Sequence, residues 1–209
     1  MKIAVIGATG KAGSLIVKEA KERGHDVTAI VRNASKVTDV PAVEKDIFDI
    51  TSEDIKDFDV VVNAFGTAPG EEHKHVEAGK VLINALKGAP NTRLIVVGGA
   101  GSLFVDEAKT TRLFDTPDFP KEYLPVAKSS AQNLQDLENS EGIQWTYISP
   151  AAFFDPQGPR TGEYKVSGDV LAVNSEGQSY ISYRDYAIAL VDEIENRKHI
   201  NKRFSVVSK

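Results

Sequence analysis

The sequence predicts an α/β fold, a doubly wound parallel sheet that carries a small C-terminal elaboration. Two features point to it. Short β-branched apolar runs, bounded by turn residues, alternate with amphipathic helical periods. That is the pattern of strands buried on both faces by crossover helices. The first run also passes straight through a glycine-rich turn into the first helix, the kind of junction at which open parallel sheets bind ligands.

Taken in order, Lys2–Ile6 (KIAVI) is the first predicted strand. Residues 12–23 follow as a helix with Leu15, Ile16 and Ala20 along one stripe, ending at Gly24, a residue suited to the left-handed position after a helix. Residues 27–31 (VTAIV), 60–62 and 94–97 (LIVV) are further inner strands, with a short third strand before Asp46. Between them, residues 75–87 carry Val76, Leu82, Ile83 and Leu86 on a helix that stops at Gly88. Residues 125–139 form the next helix, opened by Pro125 in the first turn, where a missing N–H does no harm. The strand at 145–148 (WTYI) ends at Pro150. Beyond it, the Gly- and Thr-rich stretch 160–173 suggests a small β excursion, followed by a turn at 175–178. A helix over 185–195 and a short strand over 204–207 complete the reading. The whole of 1–209 is expected to form one domain, with about 151–209 as its substrate-side elaboration.

Composition narrows the function. The chain has 25 Lys and Arg against 30 Asp and Glu, a net charge of −5. Such a balance offers no attraction to nucleic acid or anionic lipid. There is no cysteine, which excludes disulfides, thiolate metal sites and thiol nucleophiles. The histidines do not cluster with carboxylates in metal-ligand spacing, so no metal is expected. The first apolar run is too short for a signal peptide, and no run is long enough to span a membrane. A cytoplasmic protein is the expectation.

The most informative segment is Gly7-Ala8-Thr9-Gly10-Lys11-Ala12-Gly13. A diphosphate can settle on a helix N-terminus only where the backbone approaches it closely. Gly7 suits the tight turn, Gly10 the close approach, and Gly13 the packing of helix on sheet, as in Rossmann-like folds. Thr9 adds a hydroxyl, and the N–H groups at Lys11 and Ala12 face the same place. The spacing is G-x-x-G-x-x-G rather than G-x-G-x-x-G. At the end of the second strand stands Arg32, with Lys36 four residues on. An NAD site places a carboxylate there to accept from the ribose, whereas a guanidinium matches a 2′-phosphate. NADP is therefore expected over NAD. Asp46 and Ile47 are expected at the adenine, and Asn63-Ala64-Phe65-Gly66 is expected to cover the ribose.

These motifs (GATGKAG, VRNASK, NAFG and SPAAFF at 149–154) resemble the atypical short-chain dehydrogenase/reductases. Within them, the chain is similar to the NAD(P)-binding, NmrA-like and flavin-reductase-like group that includes biliverdin reductase B. The resemblance implies cofactor contacts by Gly7, Thr9, Gly10, Gly13, Arg32 and Lys36. It also implies a nicotinamide border at Pro150, Ala151, Phe153 and Phe154.

Ordinary members of that superfamily reduce carbonyls with Ser, Tyr and Lys, the last two spaced Tyr-x-x-x-Lys. Here Tyr123 and Lys128 stand five apart, which rotates Tyr123 roughly 140° away from Lys128 on a helix. Pro125 places Tyr123 before that helix begins. Ser102 follows the fifth strand, where the family's serine sits. Ser102 and Lys128, with Tyr123 behind them, are the catalytic candidates. A weakened Tyr–Lys pair shifts the expected acceptor toward flavins, quinones or other conjugated molecules, which spread their own charge. The same weakness also fits an NmrA-like sensor that binds the dinucleotide without turnover, and on either reading the protein is expected to be a monomer or homodimer.

Overall fold

The computed structural model describes residues 1–209. Its elements are β1 (Lys2–Ile6), α1 (Lys11–Glu22), β2 (Asp26–Val31), β3 (Ala42–Glu44), α2 (Ser52–Ile55), β4 (Val60–Asn63), α3 (Lys74–Leu86) and β5 (Arg93–Val97). The second half adds α4 (Leu124–Glu138), β6 (Gln144–Ser149), β7 (Phe153–Asp155), β8 (Lys165–Ser167), β9 (Tyr180–Ser182), α5 (Tyr183–Asn196) and β10 (Lys202–Val207). Eight strands form one sheet in the order β3-β2-β1-β4-β5-β6-β10-β8. All pair in parallel except β8, which runs antiparallel to β10 at the edge. Strand order reverses between β1 and β4, which creates the crevice that open α/β sheets use for ligands.

Alternation along each strand sends neighbouring side chains to opposite faces. Ile3 and Val5 of β1 pack with Ile16 and Ala20 of α1 and Leu190 and Ile194 of α5. Ala4 and Ile6 pack on the other face with Leu82 and Leu86 of α3 and Leu134 and Leu137 of α4. Each of these large aliphatic side chains contributes about 1.5–3 kcal/mol by leaving water. Both faces of the sheet are thus covered, which explains the continuous apolar character of β1, β4 and β5.

Local signals act where expected. Gly24 after α1 has φ +85°, and Pro125 lies in the first turn of α4. Ser182 caps α5, its hydroxyl accepting from the Asp185 N–H at 3.0 Å. The C-terminal third departs from the reading. Of residues 160–173 only Lys165–Ser167 becomes a strand. An additional two-stranded parallel sheet joins β7 to β9, with Phe154 opposite Ile181. No helix is long and apolar enough to cross a membrane.

Candidate dinucleotide cleft

A cleft of about 620 Å³ opens at the carboxyl ends of β1, β2, β4 and β5. Its floor is the turn between β1 and α1. Gly7 has φ +77°, and a methyl group there would collide with the Ala64 carbonyl. Gly10 is the N-cap of α1 and supplies no side-chain cap, so the first N–H groups of that helix remain available to an anion. Gly13 does not line the cleft; a side chain on it would collide with the Gly7 carbonyl oxygen. Its part is to let α1 lie against the turn.

On one side of β1 the cleft runs past Ile30, Val31 and Arg32 to Lys45 and Ile47. Arg32 is exposed and forms no ion pair, whereas Lys45 sits 3.3 Å from Asp54. Counting Lys11 at the turn, the lining holds three cations and no carboxylate. A chain of net charge −5 has therefore concentrated positive charge in one groove, which suits a polyanion such as a dinucleotide phosphate.

On the other side the lining is neutral: Ala64–Thr67, Val97, Phe154 and Tyr183. The Asn63 side chain accepts from the Phe65 N–H at 3.1 Å and holds the turn after β4. Phe65 meets Phe48 and His75 edge to face, at 5.8 and 5.7 Å between centroids. Burial beside Phe65 pushes the His75 imidazole below its ordinary range. Phe154 stacks on Tyr183 at 3.9 Å and tilts against Tyr186 at 4.8 Å. Behind β5, the buried Tyr147 hydroxyl accepts from the Gly99 N–H at 3.0 Å and donates to the Ser130 carbonyl at 3.2 Å. This ties the loop after β5 to α4.

The structure thus gathers Gly7, Thr9, Gly10, Lys11, Ala12, Arg32, Ile47, Ala64, Phe65 and Gly66 around one cleft. Other expected residues lie elsewhere. Lys36 ends a 3-10 turn and is not among the lining residues. The Asp46 carboxylate is occupied in capping the turn at 47–49, where it accepts from the Phe48 N–H at 3.1 Å. Pro150 and Ala151 are buried and do not line the cleft. Phe153 is 58% exposed and packs edge-on against Tyr180 at 5.4 Å. Adjacent strand residues face opposite ways, so Phe154 takes the inward position that Phe153 was expected to share.

None of the catalytic candidates lines the cleft. Ser102 is buried, its hydroxyl accepting from Arg203 Nη1 at 2.8 Å. Arg203 in turn reaches Asp169 at 2.8 Å. Ser102 therefore joins β10 to the loop after β5. Lys128 is exposed on α4, and the position four residues before it is Leu124. Tyr123 caps α4 and is 57% exposed. Tyr183, by contrast, was not foreseen; its signal was the aromatic residue directly after the capping Ser182 of a Ser-x-x-Asp helix start.

Comparison with known proteins agrees with this geometry. The family model described as NAD(P)H-binding matches residues 7–197. The uncharacterized protein YwnB of Bacillus subtilis (strain 168) is 66% identical over 210 residues, spanning 100% of this chain and 99% of its own. A solved structure from Streptococcus pneumoniae TIGR4, proposed to be an NADH-flavin reductase, is 48% identical with a TM-score of 0.96, covering 100% of both chains. A proposed epimerase from Bacteroides thetaiotaomicron is 34% identical with a TM-score of 0.89, covering 99% of this chain and 96% of its own.

Proposed function

This chain belongs to the NAD(P)H-binding family, and we propose that within it the protein is an NADP-dependent reductase of the atypical short-chain dehydrogenase/reductase type. Its acceptor is a small conjugated molecule such as a flavin or quinone. The observation that carries the reading is the cleft itself, with three cations and no carboxylate on one side of β1 and a neutral, aromatic-walled half on the other. Gly7, Gly10 and the first turn of α1 would hold the diphosphate, and Thr9 and Lys11 would flank it. Arg32, exposed and unpaired, would take the 2′-phosphate through charge-assisted hydrogen bonds. A reduced nicotinamide supplies a hydride when bound. Val97, Phe154 and Tyr183 would keep water from that end, and the turn at Ala64–Gly66 would cover the ribose.

The acceptor class follows from the lack of the Ser, Tyr and Lys set. The one phenol in the cleft, Tyr183, is pushed up by burial rather than lowered by a neighbouring lysine, which makes it a poor acid though still a hydrogen-bond donor. Reduction of a simple carbonyl needs an acid for the nascent alkoxide. Here Leu124 stands where Tyr-x-x-x-Lys would place the tyrosine, and Ser102 is engaged by Arg203. A conjugated acceptor spreads its own charge and needs less help. The pneumococcal relative is described with NADH; Arg32 is the reason to expect NADPH here.

The test is oxidation of NADPH and of NADH by purified protein against FMN, riboflavin, quinones and aldehydes. Turnover of flavin or quinone, faster with NADPH, is expected. Turnover confined to aldehydes would overturn the acceptor class. Tight NADPH binding with no turnover would replace the enzyme by a dinucleotide sensor, a reading that the misplaced Ser, Tyr and Lys also fit.

A further inference from the structure

The cleft contains four titratable side chains: Lys11, Arg32, Lys45 and Tyr183. The three cations lie at the β1 turn or on the β2–β3 side. Tyr183 alone belongs to the β5 side, beside Val97 and Phe154. It is the first residue of α5 and is fixed there by three things. The Ser182 cap sets the start of the helix, the Phe154 ring lies against it at 3.9 Å, and Tyr186 tilts against that same Phe154 ring at 4.8 Å. Its hydroxyl makes no hydrogen bond within the protein, yet it is not one of the sealed polar atoms that lack a partner. It therefore opens to solvent. The contrast with its neighbours is specific. Tyr147, Tyr164, Tyr180 and Tyr186 all spend their hydroxyls internally, on Ser130, Asp192, Asp155 and Ile148 respectively.

We infer that the Tyr183 hydroxyl is the hydrogen-bond donor that selects the acceptor, binding a carbonyl oxygen on a planar conjugated ring that rests beside the Phe154–Tyr183 pair. The inference rests on the reductase reading for the identity of that ring, and on the structure alone for the donor. Burial pushes the phenol above its ordinary range, so it stays protonated and able to donate at neutral pH. It is also the one free donor-bearing ring on the neutral side. A ring with carbonyl groups gains this bond, whereas a planar ring without them gains only the stacking surface.

Equilibrium binding decides the matter without requiring turnover. Full-length protein saturated with NADP⁺ would be titrated with lumiflavin, which carries ring carbonyls, and with proflavine, which is planar and has none. Each is followed by its own fluorescence. Tyr183→Phe keeps the ring against Phe154 and is expected to weaken lumiflavin about tenfold, the worth of one hydrogen bond. Proflavine and NADP⁺ should each change by less than about twofold. Tyr183→His, which restores a ring-borne donor, should recover part of the lumiflavin affinity. Unchanged lumiflavin binding, equal weakening of both dyes, or no lumiflavin binding by the unaltered protein would each overturn the inference. Parallel NADPH oxidation judges the other reading separately. A chain that holds lumiflavin through Tyr183 but oxidises no NADPH keeps the contact and loses the reductase.

Discussion

A methyl group at Gly13 would be driven into the Gly7 carbonyl oxygen, and that oxygen is backbone in the turn on which the cleft stands. Gly13→Ala must therefore push α1 off the turn or distort it. Overpacking of this kind costs about 1–3 kcal/mol. The expected outcome is a lower urea midpoint together with at least tenfold weaker NADPH binding in a titration. Stability lost with binding intact would show that the turn tolerates the shift. The glycines were legible in the sequence because each answers a local backbone demand, and so was Arg32 at the end of its strand. Ser102 was not. Its hydroxyl is claimed by Arg203, 101 residues away, and nothing near Ser102 in the chain announces that partner. Lys128 and Tyr123 fail for a related reason. The helix was placed correctly, but which way its first turn faces depends on how it packs.

Among elements, α1, α3, α4 and α5 and the strands β1, β2, β4, β5, β6 and β10 were legible to within a residue or two, since their apolar periods are set by burial, whereas the one-turn helix α2 was not. The β7–β9 pair was not, because three-residue strands separated by 24 residues leave no periodic trace. Nor was the anchoring of α5. Arg93 opens β5, is fully buried, and donates to Glu193 at 2.9 Å and to the carbonyls of Glu193 and Ile194 at 2.9 and 3.2 Å. A cation thus satisfies the last turn of α5, where the helix dipole favours it. Glu193 also accepts from the His199 backbone N–H at 3.1 Å and meets the His199 ring at 2.7 Å. Glu193→Gln leaves a buried guanidinium without its counter-charge, and breaking such a pair costs about 3–5 kcal/mol. Chemical denaturation at neutral pH should show that loss. The NADPH dissociation constant should stay within about twofold, because Val97 and the cleft lie roughly 13 Å along the strand. A change in affinity as large as the change in stability would mean that α5 transmits strain from its C-terminus to Tyr183.

At the scale of the molecule, the cleft is assembled from both ends of the chain: the turn at residue 7, the strand ends at 32, 66 and 97, and the wall at 154 and 183. The first set could be read locally, but the wall forms only when β7, β9 and α5 return to the carboxyl edge of the sheet. A ligand bridging these parts binds the folded chain alone, so it must stabilise the whole of it. At one hundred times its dissociation constant that amounts to about 2.7 kcal/mol. For a chain of this length the melting temperature should rise by roughly 5–10 °C. NADH at the same concentration, bound at least tenfold more weakly without the 2′-phosphate contact, should give about 1.4 kcal/mol less. Arg32→Gln should bring the NADPH shift down to the NADH shift while leaving the latter where it was. Equal shifts in the unaltered protein, or a gap that survives the substitution, would place the phosphate preference somewhere other than Arg32. Lys45 would then be the cation to test next, since it lines the same side of the cleft and its partner Asp54 could release it.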